Sequence, residues 1–535
     1  MKKAMKTALC LALVMLILAG IGVLWQRVRP QKEPEQAAED ETLQVLESET
    51  QAVTEKGATA IRFLGDYASA TGYGVTVAGS EVVIGYPGVY TVTGAIDDGS
   101  LTVDLGDYSG TVYLLLQGAD INCSSGPALY IKQATECVVI LQEGTKNSLS
   151  DGADYWMEEK GAVNSGAALY SADELILRGE GSLTVTGSAA DGIRSKDGLT
   201  FAGGNITVTA VQDAVQGSDY VRVHGGSLVL TAGEDGMCTT EGDVVMTAGS
   251  VTINAQGDAV SAAGDADILG GVLAAVTAGG YEGYRDVKLQ ELSAKGIKAQ
   301  TITVSDGTVT LSTADDGLHA QNVVIEGGRL TVSSGDDAIS AEDTVTLQAG
   351  DINIITSYEA VEGDTIYING GSLTATAEHN GLSGGDGSII MTGGTADVTS
   401  EEALNASGAR IVGGTLILRT EDIASLDSAA ITGGTLICLS NTECTNTALN
   451  GALQYLFEES IAAGSDIALS DRAGNVLLQT AADSEYTAVL IASGMLVPGE
   501  SYTLTAGTQQ LSAPTADGLT TSGELAQTAD FGRRP

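Results

Sequence analysis

Aromatic side chains are scarce in this chain, at 4% of residues with only two tryptophans. Broad stacking on a flat crystalline polymer such as cellulose is therefore not expected. Basic residues are also few: 25 lysines and arginines stand against 69 acids, for a net charge of −44. That balance excludes a nucleic-acid partner, because a phosphate-binding face needs clustered Lys and Arg. None of the cysteines forms a CxxC pair, so a cluster of paired thiols around zinc is not expected. There is no phosphate-binding loop and no nucleophile elbow. The three histidines (His224, His319 and His379) fall at unmatched repeat positions. Beyond the first segment, apolar residues nowhere follow helical spacing.

What the sequence has instead is a repeat. From about residue 181 to residue 437 one pattern returns every 20 to 23 residues. It opens on a Gly-Gly pair and an alternating run, as at Gly203-Gly204-Asn-Ile-Thr-Val208, Gly327-Gly328-Arg-Leu-Thr-Val332 and Gly413-Gly414-Thr-Leu-Ile-Leu418. It closes on an acid or amide, a small residue and an aliphatic one, as at Asp191-Gly192-Ile193, Asp213-Ala214-Val215 and Asp316-Gly317-Leu318. Short period-2 runs of Val, Ile, Leu and Thr, broken by Gly and Asp, read as strands. Three short strands and their turns consume one unit, and a unit this small cannot bury its own apolar face. The expected fold is all-β: a right-handed parallel β-helix solenoid with an N-terminal β-cap and a small C-terminal β-cap.

The first residues, Met1-Lys2-Lys3-Ala4-Met5-Lys6, precede an apolar run from Ala8 to Trp25. A basic segment before such a run is an export signal, and its length suits a membrane span. Residues 1–29 are read as an uncleaved anchor, with a cleaved signal as the alternative. The acidic remainder is placed outside the cell, anchored to or secreted from a bacterial surface, as a monomer that meets the membrane only through this segment. Residues 30–57 form an acidic linker, 58–165 the N-terminal cap and first coils, and 166–440 the regular β-helix. Residues 441–512 are assigned to the C-terminal cap and 513–535 to a disordered tail. Cys123, Cys137, Cys238, Cys438 and Cys444 read as small buried apolar groups, with a Cys438–Cys444 disulfide left open.

A stack turns a sequence period into a column in space. Asp191, Asp213, Asp235, Asp258, Asp316, Asp337 and Glu359 should line one ridge, with Asp315 and Asp336 beside it. Unit charges about 4.8 Å apart repel by roughly 3–4 kcal/mol at an effective dielectric of about 20. Such a row needs water, raised pKa values or a cation, and calcium suits carboxylates and turn carbonyls at variable geometry. The plainer reading is that each Asp suits a tight bend and bonds locally to backbone. One spacing breaks, since Asp258 and its equivalent Lys295 are 37 residues apart. The excess, Gly279 to Leu292, is a loop projecting from the stack. Lys295 would be a counter-ion on the ridge. Tyr155, Trp156, Arg194, Tyr281, Tyr284 and Tyr358 are the candidates for contact with a sugar.

The segments Asp191-Gly-Ile-Arg-Ser-Lys-Asp197, Ser293-Ala-Lys-Gly-Ile-Lys298 and Ser357-Tyr-Glu-Ala-Val-Glu362, with the recurring Gly-Gly-Thr/Ser-Leu, carry a resemblance. So do Ser470-Asp-Arg-Ala-Gly-Asn475 and Pro498-Gly-Glu-Ser-Tyr502 near the C-terminus. Together they resemble the bacterial carbohydrate-binding β-helix family found in clostridia, over roughly residues 65 to 508. The resemblance implies an exported, calcium-binding β-helix that attaches to plant or microbial polysaccharide and is polysaccharide-lyase-like in fold. Glu, Asn or Lys at some ridge positions departs from the family pattern and puts metal at those coils in question. Scarce aromatics suit an acidic, pectin-like glycan held through calcium. The alternatives are a calcium-dependent lyase, with Lys295 or Lys298 as base, and a surface scaffold or adhesin that calcium stiffens.

Overall fold

In the computed structural model the chain winds into a parallel β-solenoid of about 15 turns. The structure describes residues 57–155, 166–284, 288, 292–422, 429–444, 449, 451–516 and 518–523. The anchor expected over 1–29, and nearly all of the 30–57 linker, lie outside the described residues. No helix among the described residues is long and apolar enough to cross a membrane. A single 3₁₀ turn, Tyr281–Gly283, lies inside the projecting loop.

Each coil contributes one strand to each of three faces. The first face carries the runs that follow the Gly-Gly pair, such as Ser182–Gly187, Ser250–Ala255 and Arg329–Ser334. The second carries the residues after the ridge acid, such as Asp191–Ser195 and Met237–Thr239. The third closes the coil, as in Asp243–Met246 and Ala266–Ile268. One inward column is continuous along the axis: Leu183 pairs with Ile206, Ile206 with Leu228, and so on through Val251, Leu273, Val309, Leu330 and Ile352, while bulges shift the register elsewhere on some strands. All of these side chains are buried. A second column, Ile193, Val215, Met237, Val260, Ile297, Leu318 and Ile339, runs beside it on the second face. Alternation on each strand places these residues inward and their neighbours outward.

The Gly-Gly corner explains its own composition. Gly328 has φ +72, and a Cβ there would lie 2.8 Å from the carbonyl oxygen of Gly307, its counterpart one coil earlier. Both the left-handed backbone and the close stacking of corner on corner demand glycine. Where the long loop leaves the stack, Ala278, Gly279 and Gly280 all take positive φ (45, 86 and 84). Ala278 then packs with buried Ala294 and Ala314, which seats the loop's base on the coils.

Parallel stacking begins earlier than the sequence period suggests. Thr59–Gly65 already pairs in parallel with Gly88–Ile96, so residues 58–165 include coils from the outset. Turn lengths vary there, which erases the period but leaves the strand register. On the far side of the first strand, Ala68–Thr71 pairs antiparallel. At the other end Tyr486–Ser493 lies antiparallel on Thr435–Ser440, and a four-stranded antiparallel sheet of Asp466–Ser470, Val476–Ala481, Ser501–Ala506 and Gln509–Pro514 follows. Thr520–Gly523 pairs with Leu453–Ile461, so ordered strand reaches into the stretch read as a disordered tail. Four residues are too few for alternation to register in sequence, which is why this strand escapes it. Cys438 and Cys444 are both buried free thiols, which closes the disulfide option for this state.

Truncation of an inward residue should therefore cost far more than an outward one. Leu330→Ala is expected to lower stability in urea unfolding by about 2–5 kcal/mol, whereas Thr331→Ser on the same strand should stay within about 0.5 kcal/mol.

Candidate functional site

The predicted acidic ridge exists, and its stacking has a definite bonding pattern. The backbone N–H of Asp213 donates to Asp191 Oδ1 (3.3 Å), that of Asp235 to Asp213 Oδ1 (2.9 Å), and that of Asp258 to Asp235 Oδ1 (2.8 Å). The Lys295 N–H donates to Asp258 Oδ1 (2.8 Å), which confirms that Lys295 is the next ridge position across the 37-residue gap. Beyond it the Asp337 N–H donates to Asp316 Oδ1 (3.2 Å) and the Glu359 N–H to Asp337 Oδ1 (3.0 Å). One carboxylate oxygen thus caps a corner amide one coil along. The plainer reading of these residues as turn formers is met, although the partner is in the neighbouring coil rather than the same bend. The second oxygen is left for other chemistry.

What that second oxygen meets differs coil by coil. Arg194 Nη1 lies 3.0 Å from Asp191 Oδ2, and Lys298 Nζ lies 3.5 Å from Asp258 Oδ2. His319 Nδ1 lies 2.8 Å from Asp316 Oδ2, and Gln216 Nε2 donates to Asp213 Oδ2 (3.1 Å). Arg194, Gln216, Cys238, Ser261, Lys298 and His319 form one continuous column in register on the second face. His319 therefore occupies a matched repeat position, three residues after its ridge acid. His379 is also placed: its ring stacks on Tyr358, with centroids 5.2 Å apart and planes 3° from parallel. The sequence reading missed both because it compared the acids alone and not the residues at fixed offsets from them.

Electrostatics divides the ridge into three stretches. Near its start, burial and the Asp213 charge push Asp191 up to about 7 despite Arg194, and burial and Asp258 push Asp235 up to about 7. In the middle, Lys295 Nζ bridges Asp315 Oδ2 (2.9 Å) and Asp316 Oδ2 (2.7 Å). Burial opposes the Lys295 charge, but the two carboxylates outweigh it and raise its pKa. Asp316 ends up lowered for the matching reason, with His319 and Lys295 overcoming its burial. In the third stretch, Asp337 is pushed up to about 9 by burial and then by the charges of Asp316, Asp336 and Glu362. Asp336 is raised too, by burial and Asp316, even with Lys288 Nζ 3.3 Å from its Oδ2. Among the described residues two groups bring ligand atoms within 4.8 Å of one another: Asp315, Asp316 and Asp336, and Asp213, Asp235 and Cys238.

The sugar-contact candidates separate on exposure. Tyr155 is half-buried and donates its O–H to Asp151 Oδ2 (2.8 Å) and the Ala167 carbonyl (3.2 Å), so it packs a corner. Arg194 is engaged with Asp191. Trp156 lies outside the described residues. Tyr281 and Tyr358 are 44% and 42% exposed, and those fractions leave ring area open to a ligand. Tyr284 and Tyr281 sit against the Gly335 corner, just before Asp336 and Asp337, and Lys288 Nζ lies 5.4 Å from the Tyr284 ring centroid. The loop thus brings two tyrosines and a lysine to the third stretch, where Tyr358 and His379 already form a stacked pair. A second acidic column was not anticipated: Asp243 Oδ1 accepts the Asp265 N–H (2.8 Å), and Asp265 Oδ1 the Thr301 N–H (3.1 Å).

A protein from Acetivibrio thermocellus described as a carbohydrate-binding domain-containing protein is 36% identical over 137 residues. The match takes in 26% of this chain and 48% of that protein, so the chain spans about half the length of the curated relative. A solved structure of a polysaccharide lyase-like protein from C. thermocellum, a gadolinium derivative, aligns at 26% identity and a TM-score of 0.39. That alignment covers 56% of this chain and 97% of the other. Over residues 78–338, which include every ridge acid from Asp191 to Asp337, the chain matches the family of carbohydrate-binding domain-containing proteins.

Proposed function

We propose that this protein binds polysaccharide at the third stretch of the ridge. The observation that carries the reading is the stacked, part-exposed Tyr358–His379 pair beside the crowded Asp336, Asp337 and Glu362 carboxyl groups. Each ring is part-exposed, and the stack holds the outer ring face in a fixed orientation on which the apolar face of a sugar ring can lie. The carboxylates beside it are under-neutralised: among the described residues Lys288 is the one cation paired with Asp336, and it sits on the outer loop. A hard divalent cation taken up there would relieve the crowding and present open coordination positions to a uronate carboxyl. Calcium bridging to an acidic, pectin-like glycan fits both halves, because an acidic protein cannot attract a polyuronate directly. In this reading the solenoid is right-handed, closed by a β-cap at each end, exported, and held at the bacterial surface by residues 1–29.

Lyase chemistry is less well supported. A β-elimination base must accept a proton, and Lys295 is held charged between Asp315 and Asp316. A scaffold whose cations only stiffen the stack is the reading to which negative binding data would lead.

The anchor-free protein is expected to co-sediment with cross-linked polygalacturonate in calcium and to be released by chelator, with its circular dichroism unchanged. Tyr358→Ala combined with His379→Ala should weaken this binding at least tenfold without altering the spectrum. Loss of sedimentation only when the fold is also lost would instead establish the scaffold.

The ridge should also show its charge in pH dependence. Asp191, Asp235 and Asp337 hold their protons more tightly folded than unfolded, where a carboxyl titrates at about 3.9. Stability from these groups is complete below about pH 4 and is lost as pH rises through about 7 for the first two and about 9 for the third. In chelator the thermal midpoint should fall between pH 5 and pH 8. Asp337→Asn should flatten that slope, and calcium should restore the midpoint at pH 8. A slope unchanged in Asp337→Asn would show that the crowding is not felt.

A further inference from the structure

Three of the 17 tyrosines meet on the first coils, and none of them is among the sugar-contact candidates above. Tyr73 lies between Ala68–Thr71 and Val75–Ala78, Tyr86 between Glu81–Ile84 and Gly88–Ile96, and Tyr108 between Ser100–Asp104 and Thr111–Cys123. Glu81–Ile84 pairs in parallel with Ser100–Asp104, and Gly88–Ile96 with Thr111–Cys123, so Tyr86 and Tyr108 hold the same corner one coil apart. Tyr73 extends the row from the cap, where Val75–Ala78 pairs antiparallel with Glu81–Ile84. The ring centroids of Tyr73 and Tyr86 are 5.0 Å apart in edge-to-face contact, and those of Tyr86 and Tyr108 are 4.2 Å apart. At the same corner the following coils carry Thr135, Asp173 and Asp197, so it turns from aromatic to acidic along the axis.

Tyr73 is 73% exposed and Tyr108 51%, whereas a tyrosine that only closed the stack would be buried, as Tyr90 is. The loops that carry the rings are tied down. Thr59 Oγ1 donates to the Tyr73 carbonyl (3.1 Å), the Tyr90 O–H to the Tyr86 carbonyl (2.6 Å), and the Tyr108 N–H to the Leu105 carbonyl (3.0 Å). Gly74, at φ +82, lets the backbone press on Tyr86, since a Cβ there would lie 2.8 Å from Tyr86 Cβ. Rings fixed before a ligand arrives lower the ordering cost of binding it. Hydrogen bonding from the Tyr108 hydroxyl, and more weakly from that of Tyr73, raises the pKa of the Tyr86 phenol, so the three polar ends lie together. Beside Tyr73 and Tyr86 opens a cleft of about 390 Å³, and Val75, Thr76 and Val83 complete its side-chain lining. No charged side chain lines it, in a chain of net charge −44.

We propose that Tyr73, Tyr86 and Tyr108 form a second sugar-contact surface, which takes uncharged sugar units of a polysaccharide chain and needs no metal. The chemistry of the patch selects that occupant. A pyranose ring offers C–H groups on its faces and hydroxyls at its edge; aromatic faces take the first and phenol hydroxyls the second. The uncharged cleft gives a uronate or a basic peptide nothing to pair with. An anionic bilayer is disfavoured as well, because the chain around the patch is strongly acidic. Three rings are too few for a broad crystalline surface and suit a single chain lying along the row. The surface rests on the polysaccharide reading for the class of its partner, but neither on calcium nor on the third stretch of the ridge.

The test is affinity electrophoresis of the intact protein, in mild detergent and chelator, through gels that hold hydroxyethylcellulose, arabinoxylan or galactan. At least one of these neutral polymers should retard it. Tyr73→Ala combined with Tyr108→Ala should weaken that binding at least about tenfold, whereas Tyr73→Trp, which keeps an aromatic face, should retain it. Tyr73→Ala alone changes the most exposed ring and should also weaken retardation, which keeps the surface testable if the double variant misfolds. Calcium-dependent sedimentation with polygalacturonate should persist in the double variant. Tyr358→Ala combined with His379→Ala should leave neutral retardation unchanged, so this surface and the third-stretch site can each fail alone. No retardation in any of the three gels, or equal retardation of Tyr73→Ala, overturns the surface. So does a dimer in sedimentation velocity that the same substitutions dissolve, since the rings would then serve a second copy of the chain.

Discussion

In-register stacking is the constraint from which the rest follows. Each coil places its residues directly over their counterparts, about 4.8 Å apart, so nothing chosen for one coil is local to it. An apolar choice becomes a column such as Leu183 to Ile352, and a glycine with positive φ becomes a corner on which the next glycine rests. The same rule applied to a carboxylate yields a row of like charges. The fold therefore gains its core and its electrostatic difficulty from one cause.

The Asp column shows why the difficulty is accepted. At the corner between the first and second faces the strand ladder is interrupted, and a backbone N–H pointing along the axis needs an acceptor. An Asp side chain one coil away is the right length, and Oδ1 takes the bond in coil after coil. Backbone satisfaction thus recruits a charge, and the unused oxygen must then be neutralised. Arg194, Lys298 and Lys295 bring positive charge to it in particular coils, and the His319 ring lies against it at Asp316. Burial outweighs pairing at several coils: Asp191 is raised to about 7 despite Arg194, as Asp235 is to about 7 and Asp337 to about 9.

Much of this was legible in the sequence, for a physical reason. Period and alternation are what parallel stacking requires, so the three faces, the acid ridge and the equivalence of Lys295 with its neighbours could be read from spacing. Partners at fixed offsets were harder. His319, Gln216 and Cys238 share a position, yet a histidine, an amide and a thiol have no common chemistry to reveal the column. The early coils were obscured by uneven turns, although Thr59–Gly65 obeys the same register as the rest. Exposure could not be read at all: Tyr155 and Tyr358 look alike in sequence, but one packs a corner and the other faces solvent.

Variation along an otherwise repetitive column is then where function has room to arise. A repeat that neutralised every acid with its own Arg or Lys would be an inert column, stable and closed to ions. This one leaves two stretches short of positive charge, and they differ in their remaining donors. Around Asp337 the donors are carboxyl groups beside part-exposed rings, a hard and open environment. Around Asp213 they include a buried thiol and a buried amide, a softer and more enclosed set. The variation reaches the ridge position itself: Lys295 stands where its neighbours have an acid, and its ammonium turns to Asp315 and Asp316, so one coil supplies the positive charge that the next two carboxylates need.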